Sequence, residues 1–222
     1  ALLFYSCAFM IPVKDKSKKK EVVQELSDEE KAVAIYSEAF EALNKGDSFF
    51  AGKKFKEVEN LLPQSEWAAK SSLMASFSDY SRNSYTSSIF GLERFIKHYP
   101  ANENIPYAHY LIAMCYYEQI LDEKKDLKPL LKAREKFNFI IKTFPNTDYA
   151  IDANFKLDLI VDQLAAKEMS IARYYMETEK WIPALNRLKL IVDKYEQTVF
   201  IEEALHRLVE VYYKIGLTDQ AK

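Results

Sequence analysis

Glu93-Arg94-Phe95-Ile96-Lys97-His98-Tyr99-Pro100 and Lys136-Phe137-Asn138-Phe139-Ile140-Ile141-Lys142-Thr143-Phe144-Pro145 are one phrase written twice, an amphipathic helix that runs into an aromatic residue and then proline. Proline lacks an N–H and disfavours a helical residue before it, so it ends each helix at a fixed place. Two imperfect copies flank these. Phe55-Lys56-Glu57-Val58-Glu59-Asn60-Leu61-Leu62-Pro63 keeps the proline without the aromatic, and Leu188-Lys189-Leu190-Ile191-Val192-Asp193-Lys194-Tyr195-Glu196 keeps the aromatic without the proline. Pro100 follows Pro63 by 37 residues, Pro145 follows Pro100 by 45, and Glu196 follows Pro145 by 51. A period of about 40 residues marks stacked helical hairpins, whose inner face usually binds other polypeptides.

Bulk properties agree. Across 222 residues, 4 Gly and 7 Pro leave little punctuation for a many-stranded fold, so the chain reads as all-α. A hydrophobic share of 49% with 29% charged residues suits a folded protein. The 15 Tyr and 14 Phe supply rings that lock helices together and also make peptide-binding surfaces. A net charge of −2 argues against a nucleic-acid partner, which requires a clustered basic excess. Cys7 and Cys115 are too far apart in the chain to suggest a disulfide framework or a metal-ligand pattern.

Residues 1–13 are apolar but too short to span a bilayer, and read as the end of a signal-peptide apolar region. Lys14, Lys16, Lys18, Lys19 and Lys20 then open a basic tether; a solvated spacer and a contact with anionic lipid head groups are its two readings. Residues 1–26 thus form a leader and tether. Ser27-Asp28-Glu29-Glu30 is a capping box, and Ala32, Ile35, Tyr36, Ala39, Phe40 and Leu43 follow at helical spacing up to Gly46-Asp47. The excess length before Pro145 falls in Asp122–Pro129, read as a longer loop within the third pair. After Asn146-Thr147-Asp148 an unbroken pattern through Phe155, Leu159, Val161, Leu164, Ile171 and Tyr175 predicts one helix of about 30 residues, longer than ordinary. The next starts near Trp181, with Pro183 in its first turn, and a fifth unit begins at Phe200 and stops as its second helix begins.

Ala51/Phe55/Val58/Pro63, Ala133/Phe137/Ile140/Pro145 and Ala184/Leu188/Ile191 place a small residue ahead of large ones at constant spacing. In this the chain resembles tetratricopeptide repeats, a solenoid of about five helix pairs with the last one truncated. The whole arrangement is similar to the BamD family, the tetratricopeptide lipoproteins of the bacterial outer-membrane β-barrel assembly machinery. The residues that carry the resemblance are Asn44-Lys45-Gly46-Asp47, Phe95–Pro100, Phe144-Pro145-Asn146-Thr147-Asp148-Tyr149-Ala150, Ala172-Arg173-Tyr174-Tyr175 and Asn186-Arg187. It covers about residues 27–222, and it departs from the family at Phe4-Tyr5-Ser6 before Cys7 and at Glu196, where proline is usual.

The resemblance implies a protein on the periplasmic face of the outer membrane, lipid-anchored through Cys7. Its N-terminal repeats (27–145) would bind targeting strands of unfolded outer-membrane proteins, and its C-terminal repeats (146–222) would dock the central β-barrel insertase beside other assembly lipoproteins. For Cys7 the competing reading is an incidental thiol. Counting from the small contact positions, Phe77, Tyr80, Tyr110, Met114 and Tyr117 project from the first helices into the inner face, with Asn44 and Lys45 at one end. The competing reading is a stripe that only packs between helices. Arg187 maps onto the family's docking segment and, with Trp181, is the expected partner interface; an ordinary surface salt bridge is the alternative. No enzyme, cofactor or metal is indicated: His98, His109 and His206 are isolated, and no phosphate-cradling loop is written. Two other readings fit the repeats: a periplasmic scaffold for cell division or envelope synthesis, and the helical part of a lytic transglycosylase.

Overall fold

The computed structural model describes residues 26–63, 65–119 and 127–220. Among these residues the chain is helical: α1 (Asp28–Asn44), α2 (Ser48–Leu61), α3 (Glu66–Ser81), α4 (Tyr85–His98), α5 (Ile105–Glu118), α6 (Lys128–Thr143), α7 (Asp148–Glu177), α8 (Trp181–Lys194) and α9 (Ile201–Lys214), with a short 3₁₀ turn at Thr218–Gln220. Each helix packs on the next, giving four antiparallel pairs and the first helix of a fifth. The long helix is 30 residues, as its unbroken pattern requires.

The small-large-large phrase makes the core. Ala51, Phe55 and Val58 of α2, Ala133, Phe137 and Ile140 of α6, and Ala184, Leu188 and Ile191 of α8 are fully buried. In α4 the same positions are Ser88, Leu92 and Phe95, with serine as the small residue. Its hydroxyl donates to the Ser76 carbonyl at 2.8 Å, so this serine is satisfied at the crossing with α3. Truncating one of these phenylalanines to alanine costs about 3–5 kcal/mol. Four such clusters follow one another along the chain, each shared by neighbouring helices, so stability is built between neighbours.

Two turns alternate. Within pairs, a residue with positive φ closes the first helix: Gly46 (87°), Asn83 (61°) and Glu179 (56°), with Gly216 (81°) ending α9 the same way. The following N–H reaches back five residues in each case, from Asp47 to Ala42, Ser84 to Asp79, Lys180 to Tyr175 and Leu217 to Tyr212. Between pairs, the N–H groups of Ser65, Asn102, Thr147 and Thr198 donate to the carbonyls of Leu62, Tyr99, Phe144 and Tyr195. The hydroxyls of Ser65, Thr147 and Thr198 reinforce those same carbonyls at 2.6, 2.8 and 2.7 Å. Proline occupies the second position in three of these turns. Glu196 occupies it in the fourth without changing the path, since Tyr195 (φ −131°, ψ 33°) keeps nearly the backbone of Phe144 (φ −128°, ψ 50°).

The capping box at Ser27 and Glu30 forms with both of its hydrogen bonds. Other expectations need correction. Lys128 and Pro129 belong to the first turn of α6 rather than to a loop, because proline is tolerated there. Phe155 and Leu159, read as part of the apolar face of α7, are 65% and 51% exposed, and Phe40 of α1 is 46% exposed. The core face of α7 is built from Ala150, Ala153, Ile160, Leu164, Ala165, Met169 and Ala172, whose alanines let its neighbours approach closely. The basic tether and Cys7 lie outside the described residues.

Candidate peptide-binding groove

The first helices of successive pairs touch directly, α1 with α3, α3 with α5, and α5 with α7, while no comparable packing joins successive second helices among the described residues. The stack therefore closes on the first-helix side, which becomes the inner face. On α3 the residues Lys70, Leu73, Phe77 and Tyr80, and on α5 the residues Tyr107, Tyr110, Met114 and Tyr117, recur three and four apart, so each set is one stripe.

The five expected groove residues are all half-buried, with one side packed and another accessible. Phe77 and Tyr80 lie with ring centres 6.2 Å apart, and Tyr80 meets Tyr85 of α4 at 5.9 Å. Tyr110 rests on Tyr149 of α7 at 5.3 Å and on Phe137 at 6.3 Å, and Tyr117 meets Phe137 at 6.2 Å. Met114 packs against two neighbouring cores. Asn44 and Lys45 are exposed at the end of α1, where the Lys45 ammonium lies 3.5 Å from Glu41.

The fourth inner helix extends the surface. The Tyr110 hydroxyl donates to Asp152 Oδ2 at 2.6 Å, and the Lys156 ammonium sits 5.4 Å from the centre of the Tyr117 ring. Residues 152, 155, 156 and 159 lie on one stripe of an α-helix. Phe155 and Leu159 thus share the face that reaches α5, and they present the largest open apolar area there. The signal was available in their spacing from Asp152, but periodicity alone does not say which stripe meets the core.

Burial, then hydrogen bonding to Asp152, holds the Tyr110 phenol far above its usual range. Burial foremost pushes Tyr80 and Tyr107 up to about 12. At physiological pH these hydroxyls are neutral hydrogen-bonding groups.

At one end of the groove is a cavity of about 300 Å³ lined by Tyr36, Ala69, Lys70, Leu73, Met74, Asn102, Asn104, Tyr107 and Tyr149, drawn from four successive pairs. Tyr36 is fixed edge-on against Phe55 (5.1 Å) and Trp67 (5.3 Å). Larger hollows lie elsewhere, one of about 570 Å³ among α2, α3 and α4. It is bounded by Phe90 and by the ion pairs Lys56–Asp79 (3.6 Å) and Arg94–Glu59 (2.8 Å).

The two expected interface residues have different neighbours. Arg187 donates to Glu168 of α7 at 2.9 Å, whereas Trp181 packs toward α9, with the Lys214 ammonium 5.7 Å from its ring centre. A stronger clamp, unforeseen in the sequence, joins α7 to α9. Arg173 donates twice to Glu203, once at 2.9 Å, and this holds the Glu203 carboxyl below its usual range. Cys115 is buried, and burial pushes its thiol up to about 11, so it is a packing residue. His109 is enclosed by Phe139 (4.7 Å) and Phe144 (5.8 Å). Among the described residues no cluster of His, Cys, Asp and Glu could hold a metal, and no helix is long and apolar enough to cross a membrane. The arrangement offers rings and hydroxyls for non-covalent contact by stacking and hydrogen bonding.

Residues 28–222 match the model of the YfiO family, described as outer membrane lipoprotein. The chain is 39% identical over 207 residues to the outer membrane protein assembly factor BamD of Caulobacter vibrioides, covering 93% of this chain and 67% of the relative. It is 37% identical over 188 residues to the Rickettsia prowazekii protein of the same name, covering 85% and 75% of the two chains. With that of Neisseria meningitidis serogroup A the identity is 31% over 192 residues, covering 82% and 72%.

Proposed function

Since the chain belongs to the YfiO family of outer membrane lipoproteins, we propose that it is a non-enzymatic scaffold in outer-membrane protein assembly. Its inner groove takes the C-terminal targeting strands of unfolded β-barrel clients. Such a strand alternates aromatic and polar side chains, and the groove offers half-buried rings interleaved with hydroxyls. The observation that carries the reading is the continuous stripe from Phe77 and Tyr80 through Tyr107, Tyr110, Met114 and Tyr117 to the exposed Phe155 and Leu159. Rings fixed by their neighbours bind with little loss of conformational freedom. The C-terminal pairs dock the central insertase beside the other assembly lipoproteins, with Trp181 and Arg187 in that surface, and Cys7 carries the lipid anchor on the periplasmic face.

Tyr80 and Tyr117 also pack against the cores, so removing them would loosen the fold; Phe155 and Leu159 separate binding from stability. In a fluorescence-anisotropy titration with a labelled C-terminal barrel peptide, Phe155→Ser with Leu159→Ser weakens binding about tenfold, the loss of about 1–2 kcal/mol of apolar contact. Unchanged affinity would remove the groove assignment.

A further inference from the structure

Successive second helices do not pack on each other among the described residues, so the gap between α2 and α4 stays open and is floored by α3. The hollow there, about 570 Å³, lies on the second-helix side and falls within the size range of small-molecule sites. Its floor is small, from Ala75, Ser76 and Gly91, and its rim carries the Phe90 ring, which is 72% exposed. Its charges cancel, because Lys56 and Arg94 are matched by Glu59 and Asp79. These groups keep hydrogen-bonding capacity. The Asp79 side chain is only 9% exposed, and Arg82 occupies its Oδ1 at 2.8 and 3.0 Å. The other oxygen, Oδ2, accepts no hydrogen bond and lies 3.6 Å from the Lys56 ammonium. Arg94 spends Nη2 on Glu59 Oε2 (2.8 Å) and Ser72 Oγ (3.4 Å), which leaves its Nε and Nη1 and the Glu59 Oε1. The side chains of Asn60, Thr86 and Ser87 form no hydrogen bond among the described residues.

We propose that this hollow binds a neutral saccharide built of pyranose rings with equatorial substituents. A phosphate or an acidic chain would gain from Lys56 and Arg94 but lose as much to Glu59 and Asp79, and a cation the reverse. A sugar hydroxyl donates and accepts at once. Two neighbouring hydroxyls can therefore donate to a vacant carboxylate oxygen and accept from the cation beside it. The axial C–H bonds of such a ring form a flat apolar face, and the exposed Phe90 ring offers the negative π face that those hydrogens favour. An extended peptide would instead need apolar sockets for its side chains, and a floor of Ala75, Ser76 and Gly91 supplies none. The hollow shares no residue with the inner stripe, so a saccharide and a client strand can be bound together.

The test titrates cellotriose and N-acetylchitotriose, both uncharged and equatorially substituted, into the protein, read by saturation-transfer NMR and by backbone amide chemical shifts. At least one of them is expected to bind with a Kd on the order of 1 mM, insensitive to salt, with shifts clustered on α2, α3 and α4. Phe90→Ser, at an exposed ring, leaves the thermal melt unchanged and weakens this binding about fivefold or more. Thr86→Ala with Ser87→Ala weakens it about threefold, and Phe155→Ser on the inner face leaves it unchanged. If neither sugar binds, if binding survives Phe90→Ser, or if Phe155→Ser removes it, the proposal is wrong. It is equally overturned if an uncharged peptide of serine, threonine and phenylalanine shifts the same amides and binds more tightly than either sugar, which would make the hollow a peptide-docking surface.

Discussion

Gly91 sets how closely α4 approaches α3, and replacing it with alanine is a quantitative test of that crossing. A Cβ at this position would stand 2.4 Å from Ser76 Oγ and 3.3 Å from Ser76 Cβ. The hydroxyl can rotate away, at the cost of its 3.0 Å hydrogen bond to the Ser72 carbonyl, but the Cβ contact cannot be relieved without moving a helix. Overpacking of this kind costs about 1–3 kcal/mol and the lost hydrogen bond about 1 kcal/mol. Against this, alanine favours a helix interior over glycine by about 1 kcal/mol. The net expectation is about 1–3 kcal/mol of destabilisation, a fall in Tm of roughly 2–12 °C for a chain of this size. Gly52 is the internal control, since its added Cβ would meet only Ser78 Cβ at 3.3 Å and the Ala75 carbonyl at 3.9 Å, so Gly52→Ala costs less. Thermal melts followed by circular dichroism would measure both, and Ser76→Gly introduced with Gly91→Ala should restore most of the loss. A Gly91→Ala protein as stable as the original would refute the close-crossing account.

Three further outcomes are expected. Glu179 adopts a left-handed backbone that glycine takes without strain, so Glu179→Gly raises stability by about 0.5–1 kcal/mol in urea unfolding, and Gly46→Ala lowers it by a similar amount. Glu196→Pro completes a turn whose backbone already matches its proline-bearing relatives; it stabilises by about 0.5 kcal/mol through the unfolded state, seen as a raised urea midpoint. Burial, aided by Lys136, lowers the pKa of His109 in the folded state, so the unfolded chain binds the proton more readily. Stability from this residue is therefore complete above about pH 6.5 and is lost as pH falls below it, and Tm should drop less between pH 7.5 and 5.5 in His109→Gln than in the parent.

Much of the architecture was legible because it depends on local chemistry. The small-large-large spacing named the buried faces of α2, α6 and α8 residue by residue, and the unbroken run after Thr147 gave the length of α7. Ser88 belonged to the same series, twelve residues before Pro100 as Ala51 is before Pro63, but a hydroxyl at a core position hid it. The polar residue three places after each helix-ending Leu, Tyr or Phe was equally visible and is explained only by the bonds it makes to that residue's carbonyl. What the sequence withheld was direction and meeting. Phe155 and Leu159 have helical spacing, yet their outward side follows from the alanines that draw the opposite face of α7 inward. Arg187 and Trp181 are close in sequence but answer to different neighbours, Glu168 and Lys214. The cavity at the end of the groove draws on residues from Tyr36 to Tyr149, a gathering that no single motif records.

Site-directed photo-cross-linking locates the bound peptide on the inner or the outer face. A benzoyl-phenylalanine placed at Phe155 on the inner face, and separately at Phe90, which is 72% exposed on the second-helix side, would each be irradiated with a labelled C-terminal barrel peptide. A cross-link is expected at position 155, competed away by unlabelled peptide, and none at position 90. Equal capture at both positions, or capture at 90 alone, would contradict the groove assignment.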